Sequence, residues 1–157
     1  MPPHLPEGRR LPDVEKPVID LRVATMGRAL AELVYLLGDR MDEVSAQWRR
    51  RLCHEIERQV VRPYLNAEHS WERCSHNWNA VCTDGVVAAA LLGGLDAPTC
   101  ARVLAKALQS VGPFLRGFTP DGGCSEGPGY WRFGMNHFSA LAYYVHRATG
   151  GLVDLLA

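Results

Sequence analysis

The chain has 157 residues, which is enough for one domain with a buried core and too few for a large multidomain enzyme. Its 17 Lys and Arg residues balance its 17 Asp and Glu residues, so no overall field attracts nucleic acid or an anionic membrane, and we expect neither as a partner. The longest apolar run, residues 86–95, is too short to cross a bilayer.

Residues 1–16 are rich in proline and charge, and they predict an extended lead-in without the apolar segment of a secretory signal. The native compartment is therefore left open. Five cysteines form no CxxC pair, and their odd number favours buried, reduced thiols. Cys74, His76 and Cys82 match no common zinc spacing, so we expect neither a metal nor a cofactor.

Helical periodicity dominates the rest of the chain, and no segment shows a competing strand pattern. An amphipathic helix is predicted from Pro17 to Leu37, with Gly38 ending it, and a second helix from about Met41 to Tyr64. The arginine run at 49–51 falls mostly off the apolar stripe of the second helix, which indicates a solvated face and not a nucleic-acid site.

Three further helices follow a long aromatic and polar connection at residues 66–80. The segment from 81 to 95 is apolar nearly all round, as expected for a buried helix. Asp96 predicts the cap of a fourth helix with Pro98 in its first turn, and a fifth helix is predicted from about Tyr130 to Ala148. The sequence therefore predicts an all-α fold of antiparallel helical hairpins.

Helix direction brings two polar segments together. If neighbouring helices are antiparallel, the first, third and fifth point the same way, so the segments that lead into the third and fifth open at the same end of the domain. These segments are HNWN, residues 76–79, and EGPGYW, residues 126–131. Helix N-termini expose unpaired N–H groups and a partial positive charge, which suits a carboxylate or sulfate ligand.

The candidate site residues at this end have side chains suited to acidic sugars. Asparagine amides donate hydrogen bonds without deprotonation, a tyrosine can transfer a proton, tryptophans stack on sugar rings and an arginine pairs with an acid. The set is His76, Asn77, Trp78, Asn79, Glu126, Tyr130, Trp131, Arg132 and His137. Each also has a structural interpretation: Asn77 as a helix cap, Glu126 as a brace for its turn, and Tyr130 and Trp131 as plugs at the end of the core.

Two motifs resemble a known family. The segments NWNAVCTDGVVAAALL, residues 77–92, and TPDGGCSEGPGYWRFGMNHFSALAYYVHRATG, residues 119–150, resemble the helical domain of heparinase II/III-like polysaccharide lyases. The resemblance covers a little over half of the chain, from about Arg73 onward. It implies that residues 17–157 form part of an (α/α) toroid.

The resemblance implies β-elimination on polysaccharides that contain uronic acids. Such an enzyme neutralises the substrate carboxylate and stabilises the charge that develops beside it. Carried over, Asn77 is the expected neutraliser, with Asn79 as the alternative, and Tyr130 is the expected proton-transfer residue. The implied partner is an acidic polysaccharide or oligosaccharide.

The chain also departs from the family pattern. Family enzymes have a longer toroid and a β-sandwich domain that supplies further catalytic groups, commonly a histidine, and no β-rich segment is present here. Trp78 stands where some members have a histidine after the asparagine, and His76 or His137 could compensate. We therefore expect a fragment, a truncated product or a self-associating subunit with an incomplete catalytic apparatus.

Two alternatives remain open. One is a glycan-binding or interaction module that has lost turnover. The other is an unrelated (α/α) glycoside hydrolase, which would need two acids on either side of the scissile bond. Asp121 and Glu126 share one loop, and Asp84 lies inside the third helix, so the sequence offers no convincing pair.

Overall fold

The computed structural model describes residues 17–157, and the lead-in predicted for residues 1–16 lies outside that range. All regular elements of the described chain are helices, which confirms the predicted all-α class, whereas the toroid stays a prediction. The helices are α1 (Leu21–Val44), α2 (Ala46–Ile56), α3 (Arg62–Asn66), α4 (Asn77–Leu92), α5 (Ala97–Ser110), α6 (Gly112–Leu115) and α7 (Gly127–Ala148). A π-helical segment, Glu57–Val61, joins α2 to α3, and a 3-10 turn, Ser70–Arg73, precedes α4.

Helix α1 is longer than the sequence pattern predicts. It begins after Asp20, whose side chain accepts a hydrogen bond from the Val23 N–H at 2.9 Å, and it continues to Val44. The predicted end at Gly38 is wrong. Gly38 is buried in the helix because the Arg49 side chain of α2 packs against its Cα, so a tertiary contact outweighs the low helix propensity of glycine.

The second predicted helix starts later and is interrupted. Ser45 has an extended backbone that separates α1 from α2, and its hydroxyl oxygen accepts a hydrogen bond from the Gln47 N–H. Helix α2 then passes through the π-helical segment into α3, which ends at Asn66. The Asp96 cap of α5 is confirmed, with the Thr99 N–H 2.7 Å from the carboxylate. Helix α7 begins at Gly127, three residues before its predicted start.

Helix α4 is the centre of the molecule. All but three of its residues are buried, as its nearly uniform apolar composition predicts. Helices α1 and α7 pack on it, and α5 returns beside it with the Cys100 thiol donating to the Ala90 carbonyl. Ile56 of α2 lies against Gly93, which caps the C-terminal end of α4.

Contacts at several levels show that α1, α4 and α7 are parallel. Ala24, near the start of α1, lies against Gly85 in the middle of α4, whereas Leu36, further along α1, lines one cleft with Leu91 at the C-terminal end of α4. Glu126 contacts Asn77 where α4 and α7 begin. The predicted common direction of the first, third and fifth helices is therefore confirmed.

The close approach of α1 to α4 yields a stability prediction. A Cβ on Gly85 would lie 2.5 Å from the carbonyl oxygen of Ala24, and backbone cannot give way as a flexible side chain can. We expect Gly85→Ala to lower the free energy of unfolding by about 1–3 kcal/mol.

Gly129→Ala is the matched control, because a Cβ there meets no atom within 4 Å in the first turn of α7. We expect this change to be neutral or to stabilise by up to about 1 kcal/mol. Urea unfolding of both variants checks the pair, and equal stabilities would contradict the proposed packing of α1 on α4.

Candidate functional site

The entrances of α4 and α7 meet through Asn77 and Glu126. One carboxylate oxygen of Glu126 accepts the backbone N–H of Asn77 at 2.7 Å, and the other accepts its side-chain amide at 2.5 Å. Asn77 is the first residue of α4, so the carboxylate satisfies one of the free N–H groups there and lies at the positive end of the helix dipole. The two predicted segments therefore share one rim, which we call the entrance rim.

This contact changes the expected role of Asn77. The residue is only 4% exposed, and the two donors that could neutralise a ligand carboxylate are bound by the protein's own carboxylate. A ligand acid group would need Glu126 to move before it could take the same two hydrogen bonds. Glu126 therefore acts as a structural brace, because its carboxylate joins the beginning of α7 to the beginning of α4.

Asn79, the alternative to Asn77, does not belong to an accessible site. Its side chain is fully buried, and its amide donates to the carbonyl oxygens of Glu72 at 3.0 Å and Ser110 at 2.8 Å. It therefore connects α4 to the 3-10 turn and to the end of α5. In this structure a ligand cannot reach Asn79, because its side chain is fully buried and its amide is already bound.

Tyr130, Trp131 and Arg132 are exposed in the first turns of α7. The Gly134 Cα, one turn further along α7 than Tyr130, faces the Asn77 side chain. Tyr130 is the fourth residue of α7 and therefore lies near the beginning of that helix. Trp131 is held in place by its indole N–H, which donates to the Gly122 carbonyl at 2.8 Å.

His76 and Trp78 flank Asn77 on the other segment of the rim. Their rings meet edge to face with centroids 6.5 Å apart, His76 being exposed and Trp78 half-buried against the core. The Cys74 thiol lies 3.6 Å from Nδ1 of His76. Burial raises the pKa of that thiol, which keeps it protonated near neutral pH.

His137 lies two turns further along α7 and is bound to a residue that sequence reasoning did not pair with it. Its Nδ1 is 2.6 Å from Oδ2 of Asp84, a fully buried carboxylate in the middle of α4. The same oxygen accepts a hydrogen bond from Nη1 of Arg28 at 2.5 Å. A charged residue in the most buried helix needs such partners, and this requirement is the sequence signal that could have revealed the cluster.

Two more side chains extend the cluster to the surface. Glu32 accepts hydrogen bonds from Nε of Arg28 at 2.7 Å and from the Tyr144 hydroxyl at 3.2 Å, and the guanidinium lies over the Tyr144 ring. Burial lowers the pKa of Arg28, but the hydrogen bond to Glu32 and the negative charge of Asp84 raise it, and the pKa is raised overall. The cation is therefore fixed between two carboxylates.

The acids considered for a hydrolase do not form a pair. Asp84 is buried beneath His137 and Arg28, and Glu126 is bound to Asn77. Asp121 is exposed and accepts hydrogen bonds from Thr119 and the Gly123 N–H within its own loop. Two of the three carboxylates are thus held by other parts of the protein, whereas two-carboxylate hydrolysis requires a pair of acids on either side of the scissile bond.

Comparisons with known proteins add no family assignment. No family model matches the chain, and no curated protein matches it either. Within residues 17–157, no helix is long and apolar enough to span a membrane. The same residues contain no group of three or more potential ligands arranged to hold a metal ion.

The Asn77–Glu126 contact predicts a stability effect. Glu126→Ala leaves the buried amide and N–H of Asn77 without their partner, and we expect a loss of about 1–3 kcal/mol in the free energy of unfolding. Glu43→Ala is the control, because Glu43 is exposed and only forms a surface ion pair with Arg40, worth under about 1 kcal/mol. Chemical denaturation measures both, and a loss no larger than that of the control would show that the contact does not hold α7 to α4.

Proposed function

We propose that this chain is a glycan-binding helical domain of the heparinase II/III-like lyase type, which binds uronic-acid polysaccharides at the entrance rim. The observation that carries the proposal is the meeting of two helix entrances at Asn77 and Glu126, with Tyr130 in the first turn of α7. Two helix N-termini at one rim favour an anion over a neutral or cationic ligand.

The exposed side chains at the rim support an acidic sugar as the ligand. Arg132 has no ion-pair partner among the described residues, so its guanidinium is available to a carboxylate. The Trp131 ring is 40% exposed although its N–H is bound, which leaves apolar surface for stacking on a sugar ring. Tyr130 offers a hydroxyl group that solvent can reach.

The proposed reaction is β-elimination. A ligand carboxylate displaces Glu126 and takes the two donors of Asn77, which stabilises the negative charge that develops beside C5 of the uronate. Tyr130 is the proton-transfer residue in this scheme: its oxygen takes the C5 proton, the electron pair of the C5–H bond forms the C4–C5 double bond, and the C4–O bond breaks. The same proton then passes from Tyr130 to the leaving oxygen, so Tyr130 returns to its starting state.

The second candidate function is binding without turnover, and one specific observation favours it. Glu126 already satisfies both donors of Asn77, so the protein has a stable arrangement in which no neutraliser is free. A module of this kind would hold an acidic glycan through Arg132 and Trp131 alone.

Ultraviolet absorbance of the unsaturated uronate tests the proposal. We incubate the chain with uronic-acid polysaccharides, follow the absorbance, and compare Tyr130→Phe with Tyr143→Phe. Both tyrosines are exposed on α7, at 60% and 62%, but Tyr143 lies far from the rim. We expect Tyr130→Phe to lower the rate by about 10²–10⁴-fold and Tyr143→Phe to leave it unchanged.

Binding measurements separate the alternatives. Retained glycan binding with a flat absorbance trace favours the binding module, and new reducing ends without absorbance indicate a hydrolase. We expect Arg132→Ala to weaken glycan binding by about tenfold. Arg40→Ala, at an exposed position of α1, should have no effect. Absence of any binding to acidic glycans would contradict the proposal in both of its forms.

A further inference from the structure

Helix α1 has a second apolar face that the fold leaves uncovered. Its first face consists of small residues: Ala24 lies against α4, Gly27 against the π-helical segment and Gly38 against α2. Six of the fourteen large hydrophobic residues that are exposed within residues 17–157 also belong to α1. They are Met26, Leu33, Tyr35, Leu36, Leu37 and Val44, with exposed fractions between 37% and 72%. Such a concentration on one helix marks an interaction surface.

Most of the apolar residues on this second face follow a heptad repeat. Position a holds Val23, Leu30, Leu37 and Val44, and position d holds Met26, Leu33 and Arg40. Apolar a and d positions form the seam along which two helices pack against each other in a coiled coil. The pattern lasts for three heptads, or about 32 Å of helix. We call these seven residues the α1 seam.

An apolar cleft of about 330 Å³ lies beside the first half of the α1 seam. One wall is formed by Val23, Met26 and Leu30 of the seam, and the other by Ile56 and Val60. An apolar side chain of a partner would fill this space, whereas a charged ligand would find few polar groups there. The cleft and the exposed seam together favour a partner that is itself an amphipathic helix.

Charges at the two ends of the seam select a second copy of this chain as the partner. Arg22 and Glu43 both occupy g positions, one near the start of α1 and the other near its end, and both are exposed. In an antiparallel pair of helices, g positions face each other beside the seam. Two copies related by a twofold axis therefore place Arg22 beside the partner's Glu43 at each end. Within residues 17–157, Arg22 forms no ion pair, and Glu43 forms only a surface pair with Arg40 at 3.5 Å.

The register that pairs these charges also joins apolar side chains along the seam. Met26 packs against the partner's Leu37, and Leu30 packs against the partner's Leu33. Because the interface is isologous, each contact occurs twice. Both Met26 and Leu30 border the apolar cleft, so the leucines of the partner cover it. One surface is thus complementary to itself in both shape and charge.

Arg40 disfavours the other arrangements of two copies. A parallel pair in register places Arg40 against the partner's Arg40 inside the seam, where the like charges repel. A slip of one heptad in the antiparallel pair places Arg40 against the partner's Leu30, which buries an unpaired charge. In the register chosen by the end charges, Arg40 lies at the end of the seam beside the partner's Val23, and its guanidinium reaches solvent along an apolar stem.

We propose that the α1 seam is the interface of an antiparallel homodimer, with Arg22 and Glu43 forming ion pairs at both ends. The proposal goes beyond glycan binding and does not depend on it, because the entrance rim is built from α4 and α7 and contains no residue of α1.

Sedimentation equilibrium of the full chain over a range of concentrations tests the dimer. We expect a species of twice the chain mass of 17.4 kDa, with a dissociation constant in the micromolar range. A chain that stays monomeric up to about 100 μM overturns the proposal and leaves the seam to another occupant, such as a further helix of a longer chain. Species larger than a dimer also overturn it, because an isologous interface closes with two copies.

Leu33→Glu tests the seam itself. The change places a carboxylate against the partner's Leu30 on both sides of the twofold axis, so we expect the dissociation constant to rise by about 30-fold or more. Leu115→Glu is the matched control on α6, since Leu115 is 43% exposed and Leu33 is 37% exposed. The control should dimerise like the unchanged chain. Circular dichroism checks that both variants are folded, and a dimer that withstands Leu33→Glu contradicts the proposal.

Exchanging the end charges tests the antiparallel register at exposed positions that folding does not require. Arg22→Glu and Glu43→Arg each place like charges opposite each other at both ends of the seam. We expect each change alone to raise the dissociation constant severalfold. The double variant restores opposite charges and should return to within about twofold of the unchanged chain. If the double variant is as weak as the single ones, the proposed register is wrong.

Discussion

The burial of α4 on nearly all sides is the constraint on which the rest of the structure depends. A helix of this composition is stable only when neighbours cover it, and α1, α7, α2 and α5 do so. Covering α4 with parallel α1 and α7 brings the beginnings of α4 and α7 to one end, which creates the entrance rim. It also makes Asp84 fully buried, so that the carboxylate must take partners from both flanking helices.

Glu126 and Asp84 are two carboxylates that link α4 to its neighbouring helices. Glu126 accepts hydrogen bonds from the backbone and side-chain N–H groups of Asn77 at the beginning of α4. It thereby occupies the donors that an acidic ligand would use. Asp84 accepts a hydrogen bond from Arg28 and contacts Nδ1 of His137, which joins α4 to both α1 and α7. Both contacts satisfy buried polar groups of α4, the Asn77 donors in one case and the Asp84 carboxylate in the other.

Much of the fold can be predicted from local sequence patterns, whereas the burial and the tertiary partners of individual side chains cannot. The apolar composition predicts that α4 exists and is buried, although α4 begins at Asn77, inside the predicted connection of residues 66–80, and ends at Leu92 instead of residue 95. The cap at Asp96 predicts α5, and alternating helix directions predict the shared rim. Gly38 misleads because the packing of Arg49 against it is a tertiary contact. Asn79 looks like Asn77 in the motif, yet helix rotation buries it. Asp84 meets Arg28 and His137 across 56 and 53 residues of chain, a pairing that periodicity cannot reveal.

Hydrogen–deuterium exchange of the full chain with and without an oligosaccharide that contains uronic acid tests the central claim most directly, since it maps the ligand on the backbone. The account predicts that protection increases at residues 76–79 and 124–137 together, because both helix entrances contact one ligand, while α2 and α5 remain unchanged. Protection confined to other helices, or to only one of the two entrances, would contradict a binding site at the entrance rim.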